Sequence, residues 1–97
     1  MKIALNGFGR IGRNILRTYI ENNNGPLQII AINDLAKTAT NSHLLKYDSI
    51  HGTLNDEVSH NDSSIFVNKF EIKCFSEKNP ENLPWKELGV DLVFECT

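Results

Sequence analysis

"LNGFGRIGRN" (residues 5–14) is the stretch on which the fold turns. Three glycines, Gly7, Gly9 and Gly12, follow the short apolar run "KIALN" (2–6) and lead into an alternation of apolar and basic residues. The run before them reads as a buried strand. After them, Ile11, Ile15, Leu16, Tyr19 and Ile20 recur mostly at three- and four-residue spacing. That spacing predicts one face of a helix from Arg10 to about Asn22. In this strand–turn–helix order each glycine has its own task. Gly7 permits a tight turn, Gly9 lets another group approach the backbone, and Gly12 lets the helix pack close on the strand. The helix start then offers unpaired N–H groups and a partial positive charge.

Working outward, "NNNGP" (22–26) ends the helix, with Gly25 suited to a left-handed cap and Pro26 unable to continue it. "LQIIAIN" (27–33) is nearly all apolar and predicts a strand buried on both faces. "TATNSHLLKYDS" (38–49) predicts a second helix anchored by Leu44, Leu45 and Tyr47. "SIFVN" (64–68) and "FEIKCF" (70–75) stand too close for a helical crossover and predict a hairpin across Asn68-Lys69. "EKNPENLPWKELG" (77–89) predicts a proline-bounded turn or short helix, and "VDLVFECT" (90–97) a last apolar strand. The polar stretch "NDEVSHNDSS" (55–64) reads as a solvated loop. Strands alternating with helical connections predict an α/β chain with a parallel sheet and right-handed crossovers.

Gly7-Phe8-Gly9-Arg10-Ile11-Gly12 satisfies G-x-G-x-x-G. Alone this is a weak pattern, and a glycine-rich turn without a ligand is its rival. Its place between a strand and a helix is what the dinucleotide fingerprint requires. The second half of that fingerprint is an acid about twenty residues on. Asp34 closes "AIND", 22 positions after Gly12 (34 − 12). A carboxylate there accepts hydrogen bonds from a ribose hydroxyl and repels a 2′-phosphate, which points to NAD rather than NADP. The alternative for Asp34 is a helix N-cap. The fold class is therefore read as a Rossmann-type doubly wound parallel sheet. Arg10 and Ile11 sit in the helix's first turn, where their amides face phosphate. Ligands of such sheets bind at the carboxyl ends of strands, where Asn6, Asn33, Ser76 and Thr97 fall. If the last strand lies beside the first, away from 27–33, Thr97 adjoins the glycine loop.

Composition bounds the rest. The 97 residues make one domain at most, and the net charge of −2 counts against a nucleic-acid binder. No apolar run approaches the ~20 residues of a membrane span. Met1-Lys2 runs straight into a strand without the apolar region of a signal peptide. Cys74 and Cys96 lack metal-type spacing. Free thiols and no leader suggest the cytoplasm. Both cysteines read as core packing, and neither pairs with His43, His51 or His60 in any catalytic pattern. His51 reads as a structural or interface residue. Arg10 and Arg13 read as solvated or functional, and the remaining lysines and arginines as surface residues.

"NGFGRIGRN", "AIND", "HLLKYDSIHG", "ENLPW" and "GVDLVFECT" stand in the order found at the start of phosphorylating glyceraldehyde-3-phosphate dehydrogenases, and the bacterial branch looks closest. The resemblance covers essentially the whole chain. It implies the N-terminal part (1–97) of a NAD-binding Rossmann domain in a longer, cytoplasmic, homotetrameric glycolytic enzyme. Its substrates would be glyceraldehyde 3-phosphate and phosphate. It also implies that Lys78 contacts the adenine side and that Thr97 lies along the cofactor. The family more often has an Arg-Asp-Pro version where this chain has "SEKNP". The family's nucleophilic cysteine lies in a Ser-Cys-Thr-Thr-Asn motif that does not occur here, so no catalytic residue is assigned, and no metal site. The expected cofactor-binding set is Asn6, Gly7, Phe8, Gly9, Arg10, Ile11, Gly12, Asn33, Asp34, Lys78 and Thr97. The same part of an erythrose-4-phosphate dehydrogenase, or a non-catalytic nucleotide-binding module, stays open as an alternative. A parallel sheet cut at such a strand leaves an edge exposed, so the isolated chain is expected to be unstable or aggregation-prone.

Overall fold

The structure, a computed structural model, describes residues 1–21, 27–48, 52–53, 57–67 and 70–96. Strand β1 (Lys2–Asn6) lies inside the sheet, and its Ile3, Ala4 and Leu5 are at most 1% exposed. Helix α1 (Arg10–Glu21) follows, its first carbonyl partner being Gly9, which accepts the Arg13 N–H at 2.9 Å. Gly12, Leu16 and Ile20 fall four residues apart and form its buried stripe. Strand β2 (Gln28–Asn33) runs parallel to β1, from Lys2 opposite Gln28 to Asn6 opposite Asn33. A register shift between Ile3 and Ala4 leaves Ile30 as the extra residue of β2.

Helix α2 (Thr38–Lys46) ends earlier than its sequence suggests. Tyr47–Asp48 instead form the short strand β3, antiparallel to β4 (Gly52–Thr53), and Tyr47 is exposed rather than an anchor. The physical reason lies on α1. The Arg17 guanidinium donates to the Leu45 carbonyl at 2.8 and 3.1 Å and to the Lys46 carbonyl at 3.1 Å. Those carbonyls are the acceptors a further turn of α2 would use. Arg17 is thus buried, contrary to its reading as a surface residue. Lys37, not Asp34, holds the N-cap position of α2.

The stretch read as a solvated loop contains β5 (Val58–His60), which pairs antiparallel with β6 (Ser64–Val67). One half-buried residue, Val58 opposite Val67, is enough to seat this edge strand. The polar residues encode the turn instead: Asn61 Oδ1 accepts the N–H groups of Ser63 and Ser64 at 2.9 and 2.8 Å. β6 pairs antiparallel with β7 (Phe70–Phe75), the expected hairpin, whose tip at 68–69 lies outside the described residues.

The six strands stand in the order β5-β6-β7-β2-β1-β8, with β8 spanning Leu92–Glu95. The sheet is mixed rather than wholly parallel: β7, β2, β1 and β8 are parallel neighbours, and β5-β6-β7 are antiparallel. The chain moves outward from β1 to β2 to β7, then returns to place β8 on the far side of β1. Strand order therefore reverses at β1, the position where such sheets open a crevice. The returning segment holds one 3-10 turn (Pro80–Asn82), and Trp85 meets the Phe75 ring edge-on at 5.4 Å. On the opposite face, Leu16, Ile20 and Leu45 of the helices share one core with Ile3, Leu5, Ile29, Ile32, Ile65, Val67 and Ile72. Each fully buried aliphatic side chain of this kind contributes about 1.5–3 kcal/mol.

Candidate nucleotide cleft

The glycine loop leaves β1 where strand order reverses. Gly7 has φ 96°, a left-handed conformation that costs a residue with a side chain, and its N–H donates to the Asn33 carbonyl at 2.7 Å. At Gly12 a Cβ would stand 2.6 Å from the Gly7 carbonyl oxygen and 3.6 Å from the Cys96 Cβ. Helix α1 is thus pressed onto the loop and onto the residue that follows β8. Gly9 differs, because a Cβ there would meet no atom within 4 Å. Packing within the chain does not demand a glycine at that position. The space beside its backbone is open to something from outside.

Arg10 and Ile11 begin α1 and are exposed. Their amides, with that of Gly12, belong to the first turn, which has no intrahelical carbonyl to meet. Phe8 is turned the other way. Its ring is 1% exposed, its N–H donates to Asp34 Oδ1 at 2.9 Å, and its carbonyl accepts from Arg13 Nη1 at 3.1 Å. It shapes the loop from below, with its N–H spent on Asp34.

Asp34 closes β2 and is half-buried. Its second oxygen accepts the Ala36 N–H at 3.0 Å, and its own N–H donates to the Phe75 carbonyl at 2.9 Å. Two backbone donors fix the carboxylate and leave further lone pairs free. Asn6, Gly7, Asn33, Asp34 and Lys78 line one cleft of about 500 Å³, together with Leu35 and Glu77. Five of the expected positions therefore converge. Thr97 lies outside the described residues, although β8 does pair with β1 on the side that would bring it near.

Three neighbours escape a reading of the sequence. Leu35 is a large apolar residue left 59% exposed beside Asp34. Glu77 and Glu95 bond to Asn33 and Asn6, respectively. Leu35 carries a local signal, an apolar residue just past a strand end. The two glutamates carry none, since their partners are 44 and 89 residues away.

The thiols are not poised as nucleophiles. Burial pushes Cys74 up to about 11, against lowering hydrogen bonds with the Thr38 side chain and the Ile65 backbone. Burial, and then the Glu95 charge, push Cys96 up as well. A protonated thiol is a poor attacker. The His43 ring lies tilted against Tyr47 with centroids 5.0 Å apart, His60 is exposed, and His51 lies outside the described residues. Among the described residues no cluster of histidine, cysteine and carboxylate side chains could hold a metal ion. None of their helices is long and apolar enough to cross a membrane.

Comparison with known proteins agrees with this geometry. Residues 1–97 match the family described as "Glyceraldehyde 3-phosphate dehydrogenase, NAD binding domain". The chain belongs to that family. Among its relatives, glyceraldehyde-3-phosphate dehydrogenase 1 of Bacillus cereus is 54% identical over 96 residues, 99% of this chain and 28% of the relative. The Streptomyces coelicolor glyceraldehyde-3-phosphate dehydrogenase is 52% identical over 97 residues, 100% of this chain and 29% of the relative. The Thermotoga maritima enzyme is 49% identical over 96 residues, 99% and 29% respectively. The chain spans under a third of the length of these curated relatives. In this member of the family, Gly7 of the glycine loop and Asp34 line a cleft beside β1, where strand order reverses.

Proposed function

We propose that this chain is the N-terminal part of the cofactor domain of a phosphorylating glyceraldehyde-3-phosphate dehydrogenase, with the catalytic groups carried outside residues 1–97. The observation that carries the reading is that Gly7, where the glycine loop begins, and Asp34 line one cleft, with the Phe8 N–H of the loop bonded to the Asp34 carboxylate. NAD fits the groups present. The open space at Gly9 admits a pyrophosphate against bare backbone. The first-turn amides of Arg10 and Ile11 supply donors and the positive end of the α1 dipole. The free lone pairs of Asp34 accept ribose hydroxyls, and its charge opposes a 2′-phosphate. Lys78 lines the same cleft and would meet the adenine side. NAD supplies a hydride acceptor. These residues bind and orient it, and none moves a proton. The whole enzyme would be a cytoplasmic homotetramer.

The test assays the protein that carries this chain for NAD reduction by glyceraldehyde 3-phosphate, with and without inorganic phosphate. Reduction that requires phosphate supports the phosphorylating reaction. Turnover indifferent to phosphate, or a preference for erythrose 4-phosphate, overturns it.

A further inference from the structure

The carboxyl ends of β1, β2 and β8 carry a chain of hydrogen bonds that the contacts above leave unused. Asn6 stands between Asn33 on β2 and Glu95 on β8 in the sheet register, and both asparagines are buried. Asn6 Nδ2 donates to both Glu95 oxygens, at 2.8 and 3.1 Å. Asn33 Nδ2 donates to Asn6 Oδ1 at 2.9 Å and to the Glu77 carbonyl at 3.0 Å. The Glu77 N–H returns a bond to Asn33 Oδ1 at 2.9 Å.

The directions in this chain are not free. An ionised carboxylate only accepts. Glu95 therefore draws Nδ2 of Asn6 toward itself and turns Oδ1 toward Asn33. Asn33 must answer with its Nδ2, which leaves its own Oδ1 for the Glu77 N–H. One charge on β8 thus orients two amides and ends on a backbone 18 residues away in sequence (95 − 77). Both backbone groups of Glu77 are held by one side chain. The next residue is Lys78, on the lip of the same cleft. Asp34 is fastened separately, by the Phe8 and Ala36 amides.

We propose that Asn33, its amide direction set through Asn6 by Glu95, is a positioning residue that fixes the Glu77–Lys78 backbone against the cleft and so strengthens dinucleotide binding. The inference rests on the reading of the cleft as a NAD site. It differs from the direct cofactor contacts that the sequence suggests for Asn6 and Asn33, because their side-chain N–H groups are spent on Glu95, on Asn6 and on the Glu77 carbonyl.

The test uses the protein that carries this chain. NAD is titrated calorimetrically, and hydrogen exchange is followed at the Glu77 amide. Asn33→Ala is expected to weaken NAD about tenfold and to speed that exchange. Glu95→Gln, at an exposed position that leaves folding intact, is expected to weaken NAD about threefold and to speed the same exchange. The two readouts of Glu95→Gln decide the matter should Asn33→Ala fail to fold. Lys78→Ala is expected to absorb most of the binding effect of Asn33→Ala when the two are combined, whereas Asp34→Ala adds to it in full. Unchanged Glu77 exchange in both network variants, or full additivity of Asn33→Ala with Lys78→Ala, overturns the inference. A wild-type protein that does not bind NAD overturns the cleft reading and the binding half of the proposal with it. Glu77 exchange then still decides whether the chain of amides holds the backbone.

Discussion

The parallel and antiparallel halves of the sheet are fastened differently. At the carboxyl ends of β1, β2 and β8, buried asparagines and an aspartate bond to backbone and to one another, around a loop that keeps two glycines under steric demand. Between β6 and β7 the inward-facing pairs are apolar, Ile65 facing Ile72, both fully buried, and Val67 facing Phe70, and the polar bonds of Asn61 and Ser64 stay at the turn end. The contrast separates two kinds of mutational damage. Polar substitutions at the strand ends should move ligand binding more than stability. Apolar truncations in the hairpin should move stability and leave the cleft alone.

The largest expected effect is in the hairpin half. Ile72→Ala empties a fully buried site and should cost about 4 kcal/mol. Denaturant unfolding measures this, and NAD affinity of the folded fraction should stay at the wild-type value. Changed affinity would breach the division between the halves. Gly12→Ala comes next, at about 3 kcal/mol, because the new Cβ meets a backbone carbonyl that has no easy retreat. Unlike Ile72→Ala, it should also abolish NAD binding in the folded protein. Arg17→Met keeps the bulk but strands the Leu45 and Lys46 carbonyls, for about 2 kcal/mol. Its binding should be unchanged, since Arg17 caps α2 at the end remote from Asp34. A smaller energy sharpens the site half: Asp34→Asn should weaken NAD about tenfold while relaxing discrimination against NADP. The last effect is a pH dependence, absent at neutral pH and felt only in alkali. With Cys74 raised to about 11, the folded state holds its proton where the unfolded thiol has lost it, so stability falls as pH climbs from about 9 to about 11. Alkylation of Cys74 should be slow at neutral pH and accelerate over the same window. Fast labelling at neutral pH would contradict the burial argument.

Legibility in the sequence follows the same division. The centre of the parallel part could be read because β1 and β2 are buried along most of their length and carry apolar runs, such as "IIAI" of β2. The roles of Gly7 and Gly12 could be read because steric demand is local. Three features were hidden for a common reason. β5 shows only one apolar residue, Val58, and exists because β6 offers it an edge. The end of α2 is set by Arg17, 28 residues back along the chain. The partners of Asn6 and Asn33 become visible only when the register of β1, β2 and β8 is known. In each case the deciding contact is tertiary, and no local pattern announces it.

If the Gly7–Gly12 loop and Asp34 form one site, it should prefer the cofactor without a 2′-phosphate. Titration of the wild-type protein with NAD and with NADP under identical salt tests it directly. NAD should bind clearly more tightly, and equal or tighter binding of NADP would contradict a site of this kind.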